Sequence, residues 1–402
     1  MEGPLSGVRV VDLTRYVAGP FCTRLLAGLG AEVVKVEPPG GDPMRRIGPF
    51  SESTPSAEKS VPFMFLNAGK KSMTLDLQNE AGRSILKELV AKADVLVESF
   101  SPGVMANLGL GYEALESINP KLIMTSISNF GATGPYRDFE AFAINLFALG
   151  GYMYLNGDPD REPLNSNPFD HQGLYQAGIH GAVATMATLY DTLETGKGAH
   201  IDVSIMESVV SLTAVAPKAY YVTGETYVRT GSRLFYTPQP QSQYPSTVRP
   251  CKDGHVFVHT SGAGPEMLAV MMEEPRLNDP AIRQTPRGHA DEIDSLMEPW
   301  LMQHGKMEIF ELGQAFRLAI AAVLNPDEVV EDPQHKERGI FAEVNHSELG
   351  KLPMVGAPFQ LGETPWLVGR SPMLGENNVE ILGQRLGYGQ ADIVRLRQMN
   401  VI

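Results

Sequence analysis

Val8-Arg-Val-Val-Asp-Leu13, Phe21-Cys-Thr-Arg-Leu-Leu-Ala-Gly-Leu29 and Glu32-Val-Val-Lys-Val-Glu37 follow one another at the start of the chain. The first and third are short runs dominated by β-branched and aliphatic residues, which favour a buried strand. The middle one is longer and apolar at helical spacing. Strand, helix, strand with short connections is a βαβ unit, and it predicts a parallel sheet with helices on its faces. The alternation continues through Leu75, a helix over Ala81 to Ala91, a strand over Val95 to Glu98 and another over Leu122 to Ile127. The expected fold class is therefore α/β, with a Rossmann-like large domain. Glu37, acidic at the end of the second strand, invites a dinucleotide reading. The turn Arg15-Tyr-Val-Ala-Gly-Pro20 opposes it, having one glycine and a proline where pyrophosphate approach needs three glycines. The expectation is a Rossmann-like scaffold without NAD.

The 402 residues exceed what one core usually supports, so about two domains are expected. A hydrophobic fraction of 43% and a charged fraction of 20% describe an ordinary globular chain. No apolar run approaches a membrane span, and Met1-Glu-Gly-Pro4 lacks a basic region leading into an apolar one, so the expected address is the cytoplasm. Cys22 and Cys251 stand far apart and read as reduced thiols. A net charge of -14 argues against a nucleic-acid partner, which needs a broad positive surface.

The segment Asn165-Ser-Asn-Pro-Phe-Asp-His-Gln-Gly173 runs into a helical stretch from Leu174 to Leu193, ended by Gly196. Ala177, Gly178, Gly181, Ala182 and Ala184 make that helix small and apolar, so it is expected to be buried on most sides. Asp170 falls at or beside its N-cap, where free N–H groups and the helix dipole keep a carboxylate ionised and usable as a nucleophile. Alone, an Asp at a helix start is more often a simple cap.

Ordered motifs along the whole chain add to that reading. They include Pro4-Leu-Ser-Gly-Val-Arg-Val-Val-Asp-Leu-Thr14, Val17-Ala-Gly-Pro20, Leu29-Gly-Ala-Glu-Val-Val-Lys-Val-Glu-Pro-Pro-Gly-Gly-Asp-Pro43 and Asn67-Ala-Gly-Lys-Lys-Ser-Met-Thr-Leu-Asp-Leu77. Asp94-Val-Leu-Val-Glu-Ser-Phe-Ser-Pro-Gly-Val-Met105, Ser126-Ile-Ser-Asn-Phe-Gly-Ala-Thr-Gly-Pro-Tyr136 and Thr195-Gly-Lys-Gly-Ala-His-Ile-Asp-Val-Ser204 continue the series. In these stretches the chain resembles the family III CoA-transferases, the CaiB/BaiF group. The resemblance implies that Asp170 forms the acyl-enzyme and that coenzyme A, carried as acyl-CoA, is the cofactor-like substrate. It implies CoA contacts at Arg15, Val17, Ala18, Lys35, Arg45, Lys70, Lys71, Phe100, Met105 and Tyr136. It also implies a carboxylic acid co-substrate, neither metal nor NAD, and a homodimer of interlocked chains. Domains are expected at 1–225 (large), 226–335 (a smaller α+β domain) and 336–402 (return to the large one).

Five further features bear on the chemistry. From Val33 to Ser72, six basic residues (Lys35, Arg45, Arg46, Lys59, Lys70, Lys71) face four acidic ones, a locally basic window suited to CoA phosphates, although such runs are usually solvated charge. Ser261-Gly-Ala-Gly-Pro265 is either an ordinary strand-to-helix turn or a reduced form of the family's glycine-rich loop, with Gly262 and Gly264 as its active-site positions. His255 and His259 share a strand face at roughly 13 Å, too far apart for one ion. Racemases of the same family move a proton with a His/Asp pair; here the stretch Ala141-Phe-Ala-Ile-Asn-Leu146 puts Phe142 at the histidine position, which disfavours racemisation. Phe139, Phe142, Phe147, Tyr152 and Tyr154 are either an acyl pocket or core.

Overall fold

The computed structural model describes residues 2–51, 56–165, 171–235, 239–260 and 264–402. Asp170 and Gly262 lie outside the described residues.

The expected βαβ start is present as β1 (Arg9–Leu13), α1 (Ala18–Gly28) and β2 (Glu32–Glu37). Then come β3 (Lys71–Thr74), α2 (Glu80–Val90), β4 (Val95–Glu98) and β5 (Ile123–Ser128). The helix expected after Asp170 is α3 (Gln172–Thr195), followed by β6 (His200–Ser204). All six strands form one parallel sheet in the order β3-β2-β1-β4-β5-β6. The order runs outward from β1 in both directions, which is the doubly wound arrangement, and the reversal falls between β1 and β4. Both faces are covered, so β4 is buried at every position, as its Val-Leu-Val-Glu sequence requires.

Helix α3 ends at Gly196, whose φ of 68° is the left-handed cap that a glycine adopts without strain. Its small residues let it lie directly on α1. A β-carbon on Gly178 would stand 2.6 Å from the Ala18 carbonyl oxygen, and one on Gly181 would stand 2.9 Å from Ile127 Cδ1. Nothing larger than glycine fits at Gly178, where the obstacle is backbone, whereas at Gly181 the end of the Ile127 side chain would have to shift. The expectation of burial on most sides is corrected: Ala177, Gly178, Gly181, Ala182 and Thr185 are buried, but Val183, Tyr190 and Leu193 are 55%, 69% and 84% exposed. Among the described residues only one face of α3 has a partner.

The chain divides into two compact units: Met1–Tyr152 with Ser166–Val215 and Pro333–Ile402, and Met153–Asn165 with Ala216–Asp332. The expected boundaries differ in two main ways, and the smaller unit also ends three residues early, at Asp332 rather than 335. The smaller unit starts ten residues earlier than expected, at Ala216, and it also claims Met153–Asn165. Hydrogen bonds onto backbone carbonyls explain the second difference, since Gly231 N–H donates to the Gly157 carbonyl at 2.9 Å and the Arg229 side chain donates through Nε to the Asp158 carbonyl at 2.8 Å. The smaller unit contains the antiparallel strands β7 (Ser246–Cys251), β8 (Gly254–His259) and β9 (Ala319–Ala322). Its helices α4 (Gly264–Met271), α5 (Ala290–Leu301) and α6 (Lys306–Ala315) supply Leu268, Ile293, Met297 and Ile309 to its own core. Gly264 opens α4, so that position belongs to a helix start. Among the described residues no helix is long and apolar enough to cross a membrane.

Candidate active site

In open parallel sheets, ligands bind outside the carboxyl ends of the strands where the winding reverses. Here that point brings the segment after β1 against the segment after β4. Arg15 N–H donates to Ser99 Oγ at 2.9 Å, and the Arg15 guanidinium lies 4.9 Å from the centre of the Phe100 ring. Val17 and Ala18 are at the start of α1, which has no side-chain cap and no acidic residue in its first turn. Backbone N–H groups and a half-buried arginine therefore meet at the switch point, a combination suited to phosphate. Of the expected CoA contacts, Arg15, Val17, Ala18 and Phe100 are brought together here.

The basic window behaves differently. Lys35, Arg45 and Lys70 do not form an open cradle; each is buried and committed to carboxylates. Lys70 Nζ lies 2.9 Å from Asp12 Oδ2 and also donates to the Pro20 carbonyl and Asn67 Oδ1. Lys35 Nζ is 2.8 Å from Asp42 Oδ2 and 2.9 Å from the Thr14 carbonyl. Arg45 makes a forked pair with Glu37 and reaches Glu58 at 2.8 Å. Lys71 is partly exposed and bridges Glu32 and Glu380. The physical reason is solvation: a cation this deep is tolerated only when paired, so its charge is already matched. Burial alone would raise the Asp12 carboxyl, yet Lys70, Lys35 and the hydroxyls of Thr14 and Thr23 outweigh it and hold it at about 2. Burial pushes the Lys70 ammonium down to about 8 against the pull of Asp12.

Next to the switch point a cavity of about 480 Å³ opens past the end of β4 and along β5 and β6, from Met124 and His200 to Ser128 and Asp202. Phe100 and Met105, both expected CoA contacts, line it, as do Tyr112, Glu98, Ser126, His200, Asp202 and Arg137. Sequence reasoning missed the last six. Burial raises the Glu98 carboxyl, with the Asp202 charge adding to it. Ser126 Oγ is 2.9 Å from His200 Nε2, and the imidazole stacks on Tyr112 at 5.4 Å. Burial also lowers the His200 imidazole, which favours its neutral form. Asp202 accepts the Ala132 N–H through both oxygens. Tyr136 is outside this group, 44% exposed and stacked on Phe139 at 5.2 Å.

His171 occupies the N-cap of α3 with φ -86° and ψ 50°. That start packs against α1: Tyr175 meets the Phe21 ring at 4.8 Å. Of the aromatic residues considered for an acyl pocket, Phe147 is buried, Phe142 is 80% exposed and Tyr154 sits in the smaller unit beside Arg229. Among the described residues no three His, Cys, Asp or Glu side chains converge to hold a metal ion.

Residues 5–378 match the family model described as CoA-transferase family III. The chain is similar to the succinyl-CoA:(R)-benzylsuccinate CoA-transferase subunit BbsE of Thauera aromatica, with 31% identity over 100% of this chain and 99% of that one. It is also similar to the succinyl-CoA–D-citramalate CoA-transferase of Chloroflexus aurantiacus, with 34% identity covering 99% and 98%. Among solved structures, a CAIB/BAIF family protein from Brucella suis superposes with a TM-score of 0.85 at 29% identity, covering 96% of this chain and all of that one. A match across nearly the whole length, on the doubly wound fold shared with a solved member, places this chain in CoA-transferase family III.

Proposed function

We propose that the chain moves CoA from an acyl-CoA donor to a carboxylic acid acceptor, with Asp170 as the nucleophile. The observation that carries this reading is positional: residue 170 immediately precedes the cap of α3, a helix packed onto α1, and α1 begins at the switch point. The CoA diphosphate lies against the N–H groups of Val17 and Ala18 with Arg15 beside it, and the adenosine end rests on Phe100 and Met105 at the mouth of the cavity. Arg137 is a second cation at that mouth. Lys35, Arg45 and Lys70 act from behind, by holding the segments that touch the ligand.

The Asp170 carboxylate attacks the donor thioester carbonyl, and the C–S bond breaks to leave an aspartyl anhydride and CoA thiolate. The thiolate attacks the aspartyl carbonyl, releasing the donor acid and forming an aspartyl-CoA thioester. The acceptor carboxylate attacks that thioester and again expels CoA thiolate. The thiolate then attacks the acceptor carbonyl of the new anhydride, giving the acceptor's CoA ester and restoring Asp170. Thioester energy is conserved through every step. Backbone N–H groups at the start of α3 are suited to hold the oxyanions. The exposed apolar face of α3 is what a second copy of the chain covers in a homodimer. Racemisation lacks a second base, because the position that would supply it is Phe142.

Asp170→Asn preserves size and capping ability, so the protein should stay folded while CoA transfer drops by about 10⁴-fold or more. Transfer from succinyl-CoA to a panel of carboxylic acids measures this. Incubating the single purified chain with donor alone should leave a hydroxylamine-sensitive adduct on the peptide containing Asp170. Turnover unchanged in a folded Asp170→Asn protein would remove the reading, and solvent exchange of the substrate α-proton without any adduct would replace it with racemisation.

A further inference from the structure

Val209 lies in the helix Ile205–Leu212 and is buried. Its methyl groups stand where two glycines lack a side chain. A β-carbon on Gly150 would be 2.4 Å from Val209 Cγ1, and one on Gly173 would be 2.5 Å from Val209 Cγ2. Both distances are far inside van der Waals contact, so each methyl fills space that a larger residue at the glycine would need. Gly150 ends the helix Ala143–Leu149, and Gly173 belongs to the first turn of α3. The recess where these helices meet has Leu146, Phe147, Leu174 and Ile205 among its walls, and its free space is about 10 Å³, room for a single water at most.

These helices are not equally anchored. The one carrying Val209 follows β6 without a break, and its N-cap Ser204 accepts the Glu207 N–H at 3.2 Å. Met206 N–H also donates at 3.0 Å to the carbonyl of Asn129, the residue after β5. Two strand ends of the parallel sheet therefore fix it. The first turn of α3, by contrast, has no side-chain capping bond among the described residues. A helix start of that kind takes its position from what packs on it. On one side that is α1, through Tyr175 and Phe21. On the other it is Val209, because a glycine makes close contact only by receiving a neighbour's side chain.

We infer that Val209 is a positioning residue for the transfer reaction: it sets the distance of the first turn of α3 from the strand ends, and so where the Asp170 carboxylate meets the thioester carbon. Asp170 comes three residues before Gly173 in the chain. The inference rests on the reading of Asp170 as nucleophile, and it adds a residue that touches neither substrate.

The test uses the full-length protein. Val209→Ala removes both methyls, Gly173→Ala pushes a methyl into the place of one of them, and the pair restores one methyl from the opposite side. Val95→Ala, as deeply buried but at the amino end of β4, is the control for lost packing alone. The measurements are kcat, KM for succinyl-CoA, melting temperature, and the rate at which donor alone forms the hydroxylamine-sensitive adduct on the Asp170 peptide. Each single variant should lose about tenfold or more in kcat and in adduct formation with KM within about twofold, since misplacing an attacking group slows its reaction without loosening the ligand. The pair should turn over at least about threefold faster than the slower single variant, because the two changes compensate in one contact. Val95→Ala should melt lower yet keep kcat within about twofold. Wild-type kcat in Val209→Ala overturns the inference, as does a pair no faster than the slower single variant, or a Val95→Ala protein slowed as much as Val209→Ala. If Val209→Ala alone does not fold, Gly173→Ala and the pair decide by the same comparison. A wild-type protein that forms no adduct at Asp170 removes the nucleophile reading first, whereas an adduct formed as fast in Val209→Ala as in the wild type removes only the role of Val209.

Discussion

Lys35 and Arg15 serve the same turn from opposite sides, and they have opposite fates. Lys35 lies in β2 with its ammonium fully buried, matched by Asp42 and capping the Thr14 carbonyl. Arg15 follows β1, rests half-buried over the Phe100 ring, and among the described residues has no carboxylate within ion-pair distance. The first cation is part of the fold, and the second remains available to a ligand. A positive charge near a phosphate site therefore says little until its solvation is known, because a caged cation has its counter-charge already, whereas an open one still lacks it.

The largest consequence of that contrast is expected at the cage. Lys70→Ala leaves the Asp12 carboxylate buried without its nearest cation, and should cost about 3 to 5 kcal/mol of folding stability in chemical denaturation. A loss below 1 kcal/mol would mean that the cage is not what holds the β1 turn. Acid should open the same cage more gently. Asp12 is held near 2, below the ordinary carboxylate range, so its contribution is fully present above about pH 4 and disappears as pH falls toward 2. The stabilisation lost over that window is about 2 kcal/mol, and a melting curve that is flat from pH 5 to 2 in wild type but sloped in Asp12→Asn would reverse the assignment. Smallest is the effect at the open cation. Arg15→Ala should weaken CoA binding about tenfold, or ~1.4 kcal/mol, and flatten its salt dependence while leaving the melting temperature in place. A variant that unfolds early instead would move Arg15 into the cage with Lys35.

Much of this frame is readable from the chain. The strand Glu32–Glu37 and the helix ending at Gly196 fall where the residue pattern puts them, because local propensity and the demands of the parallel sheet agree there. The fate of the cations was not readable. Val-Val-Lys-Val in β2 carries a hint, since a lysine in an otherwise apolar strand buried on both faces must find a partner, but the partner Asp42 comes from the following loop. Glu98, Ser126 and Asp202 were missed for a similar reason. They become neighbours only through strand register, Glu98 opposite Ser126 and Ser126 opposite Asp202. Polar residues within or at the end of otherwise apolar strands were the available signal. The excursion Met153–Asn165 gave none, since its ties to residues 229–231 are made largely by backbone atoms.

The glycines of α3 have a consequence beyond packing. Because a β-carbon on Gly178 would meet the Ala18 carbonyl and the Cys22 backbone nitrogen, the closest approach of the two helices is set by main chain and not by side-chain length. The start of α1 and the start of α3 thus behave as two jaws of one fixed gauge. For anyone redirecting this chain to a new acid, those helices are the part to leave untouched. A methyl group added at Gly178 would spread the jaws, whereas changes around Tyr136 and Phe139 alter the surroundings of the gauge without resetting it.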